Sequence, residues 1–131
     1  MRRSEKQILE AGGRHFFVRL KLRTIWSWEG LRMAYATERS LRTWIWLQGG
    51  SILVSLVLPF GAVERALLWS LGFVVVAVEL INTAIEATVD RISIETHPLS
   101  KLAKDAGSAA VAVAGISVGL VWVVLLVEMA L

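Results

Sequence analysis

The sequence predicts an all-α membrane protein, with three transmembrane helices preceded by an N-terminal amphipathic helix at the membrane interface. Three observations predict it. The 131 residues are 56% hydrophobic at a mean hydropathy of +0.62, too apolar for an ordinary soluble domain of this length. Two stretches carry no charge, 43–63 between Arg42 and Glu64 and 106–127 between Asp105 and Glu128, and roughly 20 apolar residues cross the hydrocarbon of a bilayer. A third apolar run, Ala66 to Val78, leads without a break into Glu79, Asn82, Thr83, Glu86 and Asp90.

Residues 1–14 are polar and basic with a break at Gly12-Gly13, and read as a mobile extension ahead of a single membrane domain, 15–131. Over 15–42, Phe17, Leu20, Thr24, Trp28, Leu31 and Tyr35 recur at helical spacing among Arg19, Arg23 and Glu38. Trp26, Trp28 and Trp44 add rings that favour headgroup depth. One or two helices lying along the interface fit this pattern. The first span, 43–63, ends at Pro59 and Gly61, which mark a tight turn. The second covers 66–88 and is expected to continue as helix to about Asp90. Residues 91–105 read as a polar loop punctuated by Pro98. The third span, 106–128, is rich in small residues, with Gly115 and Gly119 in a GxxxG and Ala110/Ala114 beside it, which permits close helix contact.

Charge supplies the orientation. Residues 1–42 hold ten of the fourteen Lys/Arg and four of the eleven acids. A basic stretch ahead of a span reads as cytoplasmic and membrane-facing rather than nucleic-acid binding. With three spans, that stretch shares a side with the loop carrying Arg91, Lys101 and Lys104. The first 42 residues lack the apolar core of a cleavable signal. The absence of cysteine excludes disulfides and thiol chemistry.

The acidic stripe carries the functional signal. Offsets of 0, 3, 4, 7 and 11 put Glu79, Asn82, Thr83, Glu86 and Asp90 on one helix face. Ionisable groups at membrane depth are costly unless paired or hydrated, and mark functional sites. The bland alternative is a polar seam joining helices. Nucleotide-binding loops such as GxxxxGK[ST] and GxGxxG are absent, as are HRD and DFG. His15 and His97 are not at metal-ligand spacing. Carboxylates beside Lys104 at a cytoplasmic interface suit magnesium–phosphate chemistry, and a carboxylate in low dielectric can serve as general base toward a hydroxyl. Glu79, the deepest, is the candidate base. Residue types alone leave a proton or ion pathway equally open.

The runs Val78-Glu-Leu-Ile-Asn-Thr-Ala-Ile-Glu-Ala-Thr-Val-Asp-Arg91, Glu95-Thr-His97 and Leu102-Ala-Lys-Asp-Ala-Gly-Ser-Ala-Ala110 closely resemble the prokaryotic diacylglycerol kinase family. Trp28-Glu-Gly-Leu-Arg32 and Glu38-Arg-Ser-Leu-Arg42 match its amphipathic region. The resemblance covers about Arg19 to Leu126. It implies a homotrimer in the bacterial inner membrane, N-terminus cytoplasmic, with composite sites between subunits. It implies an enzyme that transfers the γ-phosphate of MgATP directly to the hydroxyl of diacylglycerol, without a phosphoenzyme. Glu79 would be the catalytic base and Glu38 and Glu86 the magnesium ligands. Nucleotide contacts would come from Arg19, Trp26, Glu38, Asn82, Glu86, Glu95, Thr96, His97, Lys104 and Asp105. The lipid would meet Arg19, Trp28, Arg32, Trp44, Arg65, Glu79, Ser108 and Trp122. Trp26 stands where a family tyrosine is common, and Trp44 where an acid is expected. His97-Pro98-Leu99 is closer to the undecaprenol kinase branch, whereas Lys104 to Ala110 leans to the diacylglycerol branch.

Overall fold

The computed structural model describes residues 15–93 and 95–131; the extension at 1–14, with Gly12-Gly13, lies outside the described residues. Four helices follow one another: α1 His15–Thr37, α2 Arg39–Val57, α3 Ala62–Ile92 and α4 Pro98–Ala130. The chain falls into two units, one ending at Ala36 and one running from Thr37 to Leu131.

Within the first unit, α1 is helical as its spacing predicts, but its apolar side chains are not confined to one stripe. Phe17, Trp28 and Tyr35 are exposed on the expected face, while Trp26 and Met33 are exposed about 160–180° away from Phe17 at 100° per residue. The break that ends α1 falls at Glu38, in extended conformation at φ −96° and ψ 119°. Residues 39–42 therefore open α2 instead of closing α1, and neither Pro nor Gly marks the place.

In the second unit, α2 stops at Val57 because Pro59 follows: the residue before a proline is pushed to extended backbone, and Leu58 is extended at φ −74° and ψ 152°. Arg65 secures that end. Its Nε donates to the Ser55 carbonyl at 3.0 Å and its Nη2 to the Leu58 carbonyl at 3.2 Å, satisfying acceptors that a helix C-terminus leaves open. Beside it, Trp69 Nε1 donates to the fully buried Ser55 hydroxyl at 2.9 Å. Further along, Gln48 Nε2 donates to the Trp69 carbonyl at 3.1 Å, and Trp122 Nε1 to Ser51 Oγ at 3.0 Å. Such interhelical hydrogen bonds hold the helices in register.

Helix α3 starts at Gly61 with Glu64 in its first turn, an acid at the positive end of the helix dipole. Helix α4 starts eight residues earlier than the expected span. Pro98 occupies the first turn, where its missing N–H is not needed, and His97 Nδ1 accepts the Leu99 N–H at 3.2 Å. The expected loop 91–105 thus shrinks to the connection between Ile92 and Pro98. At the opposite end, Leu68, Phe60 and Leu125 form a small core flanked by Trp69, Val121 and Trp122. Since Lys104 meets Asp90 while Leu125 meets Leu68, α3 and α4 run antiparallel. The GxxxG pair is not a backbone seam within the chain. Gly115 receives the Trp44 ring, and nothing lies within 4 Å of a Cβ built at Gly119.

Among the described residues, two helices, α3 and α4, are long and apolar enough to cross a membrane. Their 31 and 33 residues extend about 46 and 50 Å at 1.5 Å per residue, beyond the ~30 Å hydrocarbon core. Helix α2 falls short of that test. From Thr43 to Val57 its uncharged part is about 23 Å long, because Arg39 and Arg42 lie in its first turns and Pro59 ends it.

Candidate active site

The stripe on α3 forms as the spacing requires, and its burial is graded. Glu79 is 3% exposed and Asn82 8% exposed; Thr83 and Glu86 are half-buried and Asp90 is exposed. Each step has its own partner. Glu79 Oε1 accepts a hydrogen bond from Ser40 Oγ, on the first turn of α2. Asn82 Nδ2 donates to Glu86 Oε1 at 3.0 Å, so the carboxamide braces Glu86 one turn further on, not Glu79. Its other atom, Oδ1, is buried and has no hydrogen-bond partner among the described residues. Leaving such an acceptor unpaired is costly, and the atom is aimed at Gly107 of α4. A Cβ built there would collide with Asn82 Oδ1 and sit 3.7 Å from Ile85 Cδ1. Glycine at 107 is what permits this approach of α3 and α4.

At the end of the stripe, Lys104 Nζ donates to Asp90 Oδ1 at 2.6 Å. That hydrogen bond holds the Lys104 ammonium above its ordinary 10.5, with desolvation pulling the other way and the charges of Asp90 and Glu86 adding to the rise. Lys104 therefore stays cationic throughout the neutral range. Next to it lies an open groove of about 220 Å³ between the end of α3 and the start of α4. Glu95, Thr96, His97, Lys104 and Asp105, five residues expected at the nucleotide, all line it. Asp105 pairs with Lys101 one turn earlier. The groove offers one ammonium on each of two adjacent turns, hydroxyls from Ser93, Thr96 and Ser100, and carboxylates at its rim. Cations with hydroxyl donors suit a phosphorylated ligand.

The remaining expected residues are distributed. Glu38 is the half-buried N-cap residue of α2 and makes no side-chain capping bond. Among the described residues, no three His, Asp or Glu side chains converge as a metal cage. Magnesium bound through phosphates needs only one or two protein carboxylates; Glu86 is half-buried on α3 and Glu38 half-buried at the start of α2. Trp44 and Trp122 line a common crevice of about 280 Å³ with Gln48, and Ser108 is exposed on α4. Arg65 lies fourteen residues before Glu79, about 21 Å along α3, with its guanidinium engaged on α2. Arg19, Trp26, Trp28 and Arg32 are exposed on α1, in the separate first unit. At 100° per residue, Arg19 and Trp26 share one face while Trp28 and Arg32 share the other.

Three participants escaped the sequence reading. Lys101 was signalled by its i,i+4 relation to Asp105. Gly107 stood in the small-residue run Gly107-Ser-Ala-Ala110 without a partner to name. Ser40 is 39 residues from Glu79, and no local pattern joins them.

Comparison with known proteins follows the same residues. A family model for prokaryotic diacylglycerol kinase matches residues 25–126. A diacylglycerol kinase of Escherichia coli K12 is 42% identical over 114 residues, covering 84% of this chain and 90% of that protein. One of Pseudomonas aeruginosa is 43% identical over 103 residues, covering 79% and 84%. One of Haemophilus influenzae is 42% identical over 101 residues, covering 76% and 84%.

Proposed function

The chain belongs to the prokaryotic diacylglycerol kinase family, and on that premise we propose that it transfers the γ-phosphate of ATP to diacylglycerol, giving phosphatidic acid. The observation that carries the reading is the graded stripe. A buried carboxylate, Glu79, leads through Asn82 and Glu86 to a cation-bearing groove at Lys104. Such an arrangement supports the reading of Glu79 as a base at lipid depth on α3 and of the Lys104 end, where α3 meets α4, as the phosphate-binding part.

The lipid enters from the bilayer with its hydroxyl at Glu79. Glu79 takes the hydroxyl proton as the oxygen attacks the γ-phosphorus. The new O–P bond forms, the bond from that phosphorus to the β,γ-bridging oxygen breaks, and ADP leaves. Lys104 neutralises phosphate charge, and Glu95, Thr96, His97 and Asp105 hold the nucleotide along the groove. Glu38 and Glu86 would hold a magnesium ion, which would supply further neutralisation of phosphate charge. Asn82 keeps Glu86 oriented. Trp44, Ser108 and Trp122 border the acyl chains, and Trp28 and Arg32 meet the headgroup region. The family resemblance assigns Arg19 to both nucleotide and lipid, and Trp26 to the nucleotide. In this reading three spans cross the inner membrane with the N-terminus cytoplasmic. Three copies assemble into composite sites. The fit of Arg65 to the α2 terminus supports a framework role over a lipid contact.

The run His97-Pro98-Leu99, which resembles the undecaprenol kinase branch, makes undecaprenol the second acceptor for the same chemistry. Purified protein supplied with ATP, magnesium and both alcohols separates the two. Faster formation of phosphatidic acid supports the main reading, and faster undecaprenyl phosphate formation replaces its substrate.

A further inference from the structure

The polar hydrogen bond to Glu79 comes from a residue outside the expected site, Ser40. This hydroxyl reaches the carboxylate from a different helix. Its placement is fixed on both sides. Ser40 is the second residue of α2, in the first turn, where backbone N–H groups have no intrahelical acceptor and a serine commonly turns back on its own chain. Here the side chain points across to α3 instead. Leu41, its neighbour, is fully buried, which locks the turn that carries Ser40. Further along the same helix pair, Gln48 bonds to the Trp69 carbonyl and Trp69 to Ser55, pinning the register of α2 against α3. Glu79 is itself 3% exposed, while Ser40 lies on the exposed side of the contact.

We propose that Ser40 is a positioning residue for the reaction, its hydroxyl tying Oε1 of Glu79 so that the second oxygen faces the lipid hydroxyl. The inference rests on the reading of Glu79 as base. A carboxylate has two equivalent oxygens and a soft terminal torsion. Anchoring one oxygen from a packed helix selects one orientation of the other, and misplacement by about 1 Å costs about 100-fold in such reactions. Ser40 does not touch the phosphate in this role and gives up no proton. It acts through Glu79 alone.

The test compares Ser40→Thr with Ser40→Val in the full-length protein in detergent micelles containing diacylglycerol. The two replacements have nearly the same shape and differ in the hydroxyl. Ser40→Val is expected to lower kcat about five- to ten-fold with the KM for ATP unchanged, and Ser40→Thr to recover most of that loss. Ser40→Ala serves in place of valine if valine prevents folding, with thermal unfolding measured for each. Equal kcat for the threonine and valine variants overturns the proposal. So does a loss that tracks the unfolding midpoint and not the hydroxyl. Glu79→Gln, measured alongside, keeps the two claims apart. An active Glu79→Gln protein removes the base reading, whereas an inactive one with indistinguishable Ser40 variants removes only the role of Ser40.

Discussion

Glu79, Asn82 and Glu86 sit on consecutive turns of α3, yet each experiences a different environment. Burial falls from Glu79 to Asp90; the proposed reading puts proton transfer at the deep end and ion or phosphate binding at the exposed end. Glu86 is the residue on which this division is most easily checked. Replacing it with Gln keeps the acceptor for Asn82 Nδ2 and removes the charge. The expected outcome is a magnesium titration of activity displaced several-fold to higher concentration, since a hard cation loses one anionic ligand. An unchanged titration removes Glu86 from the metal. Lys104 has a different pH behaviour. Its pKa is raised in the folded protein, so its pairing with Asp90 is fully present below the unfolded value of 10.5 and is lost only as pH rises through the raised one. On the proposed reading, Lys104 therefore adds no pH dependence of its own to phosphate binding across the neutral range.

At the scale of elements, the approach of α4 to α3 depends on an absent side chain. A methyl at Gly107 meets Asn82 Oδ1, while one at Gly119 meets nothing within 4 Å. Gly107→Ala is expected to destabilise the protein by about 1–3 kcal/mol through overpacking and to lower kcat by displacing Asn82. Gly119→Ala is expected to change neither measurably. Thermal unfolding and turnover of both variants check the contrast, and similar behaviour at the two positions contradicts it. The same contacts show what a sequence can disclose. The stripe was legible because five polar residues repeat at helical spacing in an otherwise apolar run. The groove was legible in part, because Glu95 to His97 and Lys104-Asp105 stand close in sequence. Ser40 on Glu79, Gly107 on Asn82 and Arg65 on Ser55 were not, because each joins two helices, and periodicity within one helix does not tell which neighbour it meets. The two misplaced boundaries have separate causes. Glu38 ends α1 without a breaker residue, and Pro98 starts a helix where the sequence reads as a polar loop.

For the whole molecule, the open issue of architecture is α2. Helices α3 and α4 pass the length and apolarity test, and α2 has about 23 Å of uncharged helix but is bonded to both through Gln48, Ser51 and Ser55. The three-span reading predicts that Thr37 and Ala62 face opposite sides of the membrane. The chain has no cysteine, so single-cysteine variants at these two positions report directly with an impermeant thiol reagent. Ala62→Cys is expected to react from outside the cell and Thr37→Cys only after permeabilisation; labelling of both from one side reduces the protein to two spans. Apolar side chains such as Phe73, Ile81, Val113, Ile116 and Leu120 are exposed on α3 and α4, a surface that suits a lipid environment. All of these features serve one claim, that Glu79 activates a lipid hydroxyl for phosphoryl transfer. Its most direct test is the transfer of labelled γ-phosphate from ATP to diacylglycerol by the purified protein and by Glu79→Gln, each with its unfolding midpoint. The account predicts labelled phosphatidic acid from the unaltered protein and a rate lower by about 10²–10⁴-fold in the variant at an unchanged midpoint. A Glu79→Gln protein that transfers phosphate at a similar rate would contradict it.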